Sequence, residues 1–289
     1  MIEWYYLVLI SSILSGLATL VEKNALKREY ATRFSATVSP FVALVSLVFL
    51  PFASFDIGAW EIIFIIAWSA LNAYSYLLAA RAFRHSELSA SSAVFSSLPT
   101  LIVVVLAFLL LNEQLSSVQY IGILGMIVAT YMLFFREPKR ADGKQSFESS
   151  KYKYVLLFAV VVSGLAALLN KPAISGINPY TFFIVSSVSM AAFFTLFITW
   201  KYKGIGEMVE TFRSYRLPTL LASLLTSGYR LSYYLALVLV PVALAQPLSN
   251  AFYVIITVAI GGMIFKEGSL TRKLVLSAFL IFFAYLLTI

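Results

Sequence analysis

The sequence predicts an all-α integral membrane protein of ten transmembrane helices, arranged as two five-helix inverted-topology repeats. Three observations predict it. The 289 residues are 61% hydrophobic and only 12% charged, with a mean hydropathy of +0.91, whereas soluble domains are roughly a quarter charged. A nonamer recurs: Ser15–Lys23 reads SGLATLVEK, and Ser163–Lys171 reads SGLAALLNK 148 residues later, with six of nine positions identical. Between the copies lies the longest polar run, Arg136–Lys153, with six basic residues (Arg136, Lys139, Arg140, Lys144, Lys151, Lys153). A second correspondence, at an offset of 154, pairs Ala82 with Ala236, Glu113 with Glu267 and Tyr131 with Tyr285. Residues 1–135 thus form one unit, 136–153 a basic linker and 154–289 a second unit, and a duplication of this kind fixes the architecture.

Ten apolar segments are each able to cross a hydrocarbon core of roughly 30 Å, which takes about 20 helical residues. In the first unit they are Trp4–Val21, Phe34–Phe52, Ile62–Phe83, Ala90–Leu111 and Val118–Phe135. In the second they are Tyr154–Leu169, Tyr180–Trp200, Thr219–Leu239, Val242–Phe265 and Leu274–Ile289. A backbone in lipid must satisfy its own hydrogen bonds, so the segments are helices. Continuous apolar runs, without alternation at period two, exclude a barrel. The first segment follows Glu3, not a basic run, and reads as a retained span instead of a signal peptide. Five spans per unit make the second enter the membrane from the opposite face, the plan of many secondary transporters.

Basic residues orient the chain. Lys27, Arg28, Arg33, Arg84, the linker, Lys201, Lys203, Arg213, Arg216, Lys266, Arg272 and Lys273 all fall on one side, and the opposite loops carry none. Lys and Arg stay in the cytoplasm, so the linker is expected inside and both termini outside the cell membrane. The net charge of +8 serves this orientation, and no nucleic-acid partner is expected. The partners are the lipid bilayer and a small-molecule substrate. The sequence sets no oligomeric state, and a monomer is compatible with it.

Several function classes are excluded. The chain has no cysteine and one histidine, His85, which leaves no thiolate or multi-histidine metal site. Neither HExxH nor GxSxG occurs, nor a Gly-rich loop with Lys-Ser/Thr, so neither a catalytic residue nor ATP hydrolysis is expected. No cofactor is expected either.

The chain resembles the drug/metabolite transporter superfamily, specifically ten-helix proteins with two tandem EamA-type domains. The resemblance rests on the SGL…K pattern opening each unit, and on Pro99 followed by Asn112-Glu113-Gln114-Leu115 and Gln119-Tyr120-Ile121-Gly122. The second unit keeps Glu267 but has Tyr253 in place of the proline and Leu276 in place of the glycine. The resemblance implies a secondary transporter that exports or exchanges small organic solutes; a lipid-intermediate flippase on the same fold is the alternative. Such proteins commonly place their termini in the cytoplasm, opposite to what the charge distribution here predicts.

Polar residues inside the spans mark the expected binding site. Gln246, Asn250, Tyr253 and Thr257 share one helical face, and Ser92 and Ser96 occupy positions equivalent to Gln246 and Asn250. Such a stripe avoids lipid, facing either a water-filled cavity or another helix. Asn72 and Tyr76 are equivalent to Thr226 and Arg230. Arg230, flanked by Tyr229 and Tyr233, stands near the middle of its span, where an always-charged guanidinium costs roughly 2.5–3.5 kcal/mol. Its fork suits a carboxylate or phosphate, so an anionic or zwitterionic substrate is expected, with Tyr76, Gln246, Asn250 and Tyr253 completing the site. Spans three, four, eight and nine are expected to line it. Glu22 is the one carboxylate placed for ion coupling. Glu113 and Glu267 are expected at solvent-facing span ends, and Lys23 and Lys171 are expected to snorkel and neutralise the ends of their own helices.

Overall fold

The computed structural model describes residues 3–111, 116–134, 150–174, 176–202, 204–240, 242–267 and 269–286. Glu113 and most of the linker lie outside them, as do the side chains of Lys171 and Pro247. The described residues are helical, without a strand. The first unit holds α1 (Trp4–Leu26), α2 (Ala31–Leu47), α3 (Ala59–Arg84), α4 (Leu88–Leu111) and α5 (Ser117–Phe134). The second holds α6 (Ser150–Ile174), α7 (Pro179–Lys201), α8 (Ile205–Ser214), α9 (Arg216–Leu239), α10 (Val242–Ile255), α11 (Gly261–Ile264) and α12 (Leu270–Leu286). A π-turn, Ile256–Ile260, joins α10 to α11.

Helices α1, α3, α6 and α7 are long and apolar enough to cross a membrane by their described residues, while Ala31–Leu47, Ser117–Leu133 and Leu248–Ile264 are apolar but shorter. Local chemistry sets several ends. Asn178 caps α7, its Oδ1 accepting from the amides of Tyr180 (2.9 Å) and Thr181 (3.3 Å), and Pro179 supplies the first helical residue. The second span ends earlier than its apolar run, because Pro51 lies in a 3₁₀ turn, Leu50–Phe52, in the connector to α3. Helix α6 starts at Ser150, ahead of the expected Tyr154, since the polar residues of its first turn extend the helix beyond the apolar run. Helix α8 was not expected. Its ten residues lack the length of a span, but its polar Glu207 and Thr211 are buried against the protein while Ile205 and Val209 are exposed.

The packing interleaves the two units. Helix α1 packs mainly on α9 and α10, and its counterpart α6 packs mainly on α3 and α4. Helix α2 packs on α7 and α9, α7 on α2 and α3, and α5 on α12. This main pattern survives exchange of the two units. The repeated SGL motif has its reason here. A Cβ on Gly16 would lie 2.6 Å from Ile256, and one on Gly164 would lie 2.6 Å from Ile102. Ile102 and Ile256 are themselves 154 residues apart, so each unit's first helix seats its glycine on the same isoleucine of the other unit. Small residues allow such close approach between helices in lipid.

Basic side chains gather at one end of the bundle. Lys27 lies over the Phe265 ring (4.3 Å) and Arg84 over Tyr30 (4.4 Å). Arg33 pairs with Glu207, and Lys273 with Glu87. Arg272 donates to the Met132 carbonyl (2.6 Å) at the end of α5, and His85 stacks on Tyr152 of α6 (4.0 Å). Two expectations change at this end. Lys23 donates to the carbonyls of Phe83 and Ser86 (2.6 Å), so it neutralises the end of α3, not of its own helix. Glu267 does not face solvent: its buried carboxylate accepts from the amides of Leu88 and Ser89 (2.9 Å) and from the Ser89 hydroxyl. It thereby satisfies orphan donors at the start of α4.

Large apolar side chains remain exposed around the bundle, including Leu44, Ile63, Leu124, Phe158, Leu196, Leu224 and Phe279. Trp60 and Trp200 stand 79% and 84% exposed at opposite ends of α3 and α7, where indole rings mark the two interfaces of a bilayer.

Candidate functional site

Helices α2, α3, α7 and α9 enclose a small cavity, with room for about one water molecule. Ser39 and Val42 from α2, Tyr76 from α3, Ser187, Met190 and Phe194 from α7, and Thr226 and Arg230 from α9 form most of its wall. The lining obeys the duplication. Tyr76 and Arg230 are equivalent at the offset of 154, and Ser39 and Ser187, like Val42 and Met190, are equivalent at the offset of 148. Applied to the second span of each unit, the offset of 148 locates the serines in the sequence.

Electrostatically the cavity is one-sided. The Tyr229 hydroxyl lies beside the Arg230 guanidinium, with Tyr76 and Tyr234 also near it. Among the described residues no carboxylate forms an ion pair with Arg230. The Ser187 hydroxyl lines the same space, is buried, and has no hydrogen-bond partner among the described residues. Buried polar groups are satisfied as a rule, so an unpartnered hydroxyl beside a cation whose near neighbours are neutral tyrosines marks a candidate binding site. Tyr76 approaches the carboxyl of Glu22. Glu22 is only 5% exposed, and its Oε1 has no hydrogen-bond partner among the described residues. It stands behind Tyr76, outside the cavity wall.

Two apolar layers bound the cavity along the membrane normal. Phe194 and Met190 pack with Ile198, Leu77 and Met208 towards the basic end. Phe182, Phe183 and Tyr234 pack with Trp68, Phe49 and Ile57 towards the opposite end.

The polar face of α10 lies elsewhere. Tyr233 donates to Gln246, the Gln246 amide donates to Asn250 Oδ1 (3.0 Å), and Asn250 Nδ2 donates to the Ser96 carbonyl (2.8 Å). Ser96 and Asn250 are repeat equivalents, so this last bond joins a residue to its own counterpart. Ser92 is fully buried and donates to Thr257 (2.9 Å), and Tyr253 pairs with Thr19 (3.3 Å). Asn72 bonds back to the Trp68 carbonyl of its own helix (2.9 Å). Thus the structure brings Tyr76 and Arg230 together with Tyr229, while Ser92, Ser96, Gln246, Asn250 and Tyr233 form a hydrogen-bonded seam between α4, α9 and α10. The cavity wall therefore differs from the expected set of spans, with α2 and α7 in place of α4 and α10. The physical reason is that the α4 and α10 polar groups satisfy one another.

Residues 2–135 match the EamA-like transporter family. Over those residues the chain is similar to a family of the drug/metabolite transporter superfamily. That family consists of membrane transporters, and the similarity, with the apolar helices, supports a multi-pass membrane protein. The second unit, where Tyr253 and Leu276 depart from the pattern, lies outside the matched residues. A solved structure described only as "Crystal structure of protein" shares the fold over 99% of this chain and 97% of its own, with a TM-score of 0.57 and 13% identity. The comparison with curated proteins returned no match.

Proposed function

We propose that the protein is a secondary transporter that exports or exchanges a small organic anion or zwitterion. It works by alternating access between two inverted five-helix repeats that together span the membrane ten times. The observation that carries this reading is Arg230 in the wall of the cavity between the units, with no carboxylate paired to it among the described residues. A half-buried guanidinium within a membrane span is costly without an anion, and a substrate carboxylate or phosphate fits its fork. Tyr76, Tyr229 and Ser187 supply hydrogen-bonding partners for the same group. Support for the inverted repeat comes from packing that is preserved when the units are exchanged, with the site on the surface between them. Tyr233, Gln246, Asn250, Ser92 and Ser96 act in this reading as the seam that joins the units, while Asn72 and Tyr253 bond to Trp68 and Thr19.

Thermal stabilisation of the purified protein tests the substrate class, because a ligand that binds only the folded state raises the midpoint. Organic anions and zwitterions should raise it in the wild type, and Arg230→Gln should fold yet lose the shift. Stabilisation by purely cationic solutes would overturn the reading, and stabilisation confined to lipid intermediates would turn it into a flippase.

The gathering of Lys and Arg at one end supports an orientation with the linker in the cytoplasm. A single cysteine at Ser146 in this cysteine-free chain should resist an impermeant thiol reagent in intact cells. Labelling there, with a cysteine at Ile2 protected, would reverse the orientation.

A further inference from the structure

A connector packs on the apolar layer at each end of the cavity, and each connector is held by the second helix of the other unit. At the basic end, α8 links α7 to α9 and lies on α2. Its Glu207 pairs with Arg33, Phe212 stacks on Phe41 (4.8 Å, 25° between planes), and Met208 joins the apolar layer under Phe194. At the opposite end, the connector between α2 and α3 lies on the start of α7. There the Ser54 amide donates to Thr181 Oγ1 (3.0 Å), and the Thr181 hydroxyl donates to the Ser54 carbonyl (2.7 Å). Asn178 Nδ2 donates to the Phe52 carbonyl (3.3 Å), and Phe52 packs on Tyr180 (5.5 Å).

These clasps correspond. Arg33 and Thr181 are 148 residues apart, the offset that also relates Ser39 to Ser187 in the cavity wall. One holds α8 and the other holds the α2–α3 connector. Gly204, immediately before α8, has φ +79°, a backbone conformation that glycine adopts at no steric cost. With both connectors seated, the space at Arg230 holds about one water molecule, too little for an organic solute.

From this geometry we propose that α8 and the α2–α3 connector are paired lids over opposite ends of the Arg230 cavity, and that the structure is the doubly closed state. The proposal rests on the cavity being the transport site. Release of the Arg33–Glu207 and Phe41–Phe212 clasp opens the basic end. Release of the Ser54–Thr181 and Asn178–Phe52 clasp opens the other.

The test uses the full chain with one cysteine at Ser39, reconstituted in vesicles of known orientation and probed with a small charged, membrane-impermeant thiol reagent. Glu207→Gln with Phe212→Ala should raise labelling at least severalfold from the basic-end side only. Thr181→Val with Asn178→Ala should raise it from the opposite side only. The charge swap Arg33→Glu with Glu207→Arg should return labelling towards the wild-type rate, a recovery that a merely misfolded variant would not show. Unchanged labelling in both loosened variants, or a rise from both sides in each, overturns the lids. Arg230→Gln separates this failure from that of the proposed function. If the lids stand and only the substrate reading fails, the side-specific labelling remains while Arg230→Gln leaves ligand stabilisation intact.

Discussion

At the cavity wall the first unit contributes Ser39 and Tyr76 where the second contributes Ser187 and Arg230. The serine pair is unchanged between the copies, and the other pair differs by a full charge. A symmetric pair of arginines would set two cations across a small cavity, with mutual repulsion. A symmetric pair of tyrosines would leave a polar but uncharged hole. In the proposed function the duplication supplies the frame, and divergence at one pair supplies the selectivity for charge.

Substitutions on each side of the pair separate frame from chemistry. The largest effect belongs to Arg230. Removing one partner of a buried charged contact costs about 2–5 kcal/mol, so Arg230→Gln should weaken ligand-dependent stabilisation by about thirtyfold or more with the unliganded midpoint little changed. A variant that binds as tightly as the wild type would show that the asymmetry carries no selectivity. Next come the two glycines, where the units are alike. Gly16→Ala and Gly164→Ala each drive a methyl to 2.6 Å from an isoleucine, and overpacking of this kind costs about 1–3 kcal/mol. Thermal midpoints should fall by similar amounts in both, and Ile256→Ala should partly restore Gly16→Ala. A large fall in one and none in the other would break the symmetry of the frame. The smallest effect is that of Tyr76→Phe, which removes one hydroxyl and costs about 0.5–1.5 kcal/mol of ligand affinity. A loss as large as that of Arg230→Gln would make the two equivalents equal partners and deny the difference between them.

The same distinction explains what was legible in the sequence. The nonamer containing Gly16 and Gly164 is packing information, and packing between repeats is written twice, so self-comparison finds it. Arg230 was legible because a charge in an apolar run is conspicuous. Helix α8 was not, since Ile205–Ser214 mixes polar and apolar residues and reads as a loop until α2 is placed beneath it. The partner of Glu267 was hidden for a different reason: it is the backbone of Leu88 and Ser89, and main-chain donors carry no residue identity. The stripe on α10 was correctly seen as shielded from lipid. What faced it, α4 and α9 instead of open space, depended on how the units interleave, which no single helix specifies.

Because α1 packs on α9 and α10, it has to wait for them. About 190 residues separate the end of α1 from the start of α9, which at roughly 5–20 residues per second is about 10–40 s of synthesis. Over that interval the face around Gly16 and Ser12 sits in the bilayer without its final neighbour. Neither unit released alone would possess a complete interior, so co-expression of two fragments cut in the linker should recover folded protein where either fragment by itself is degraded. The interleaved packing makes the linker a timer for assembly as much as a tether.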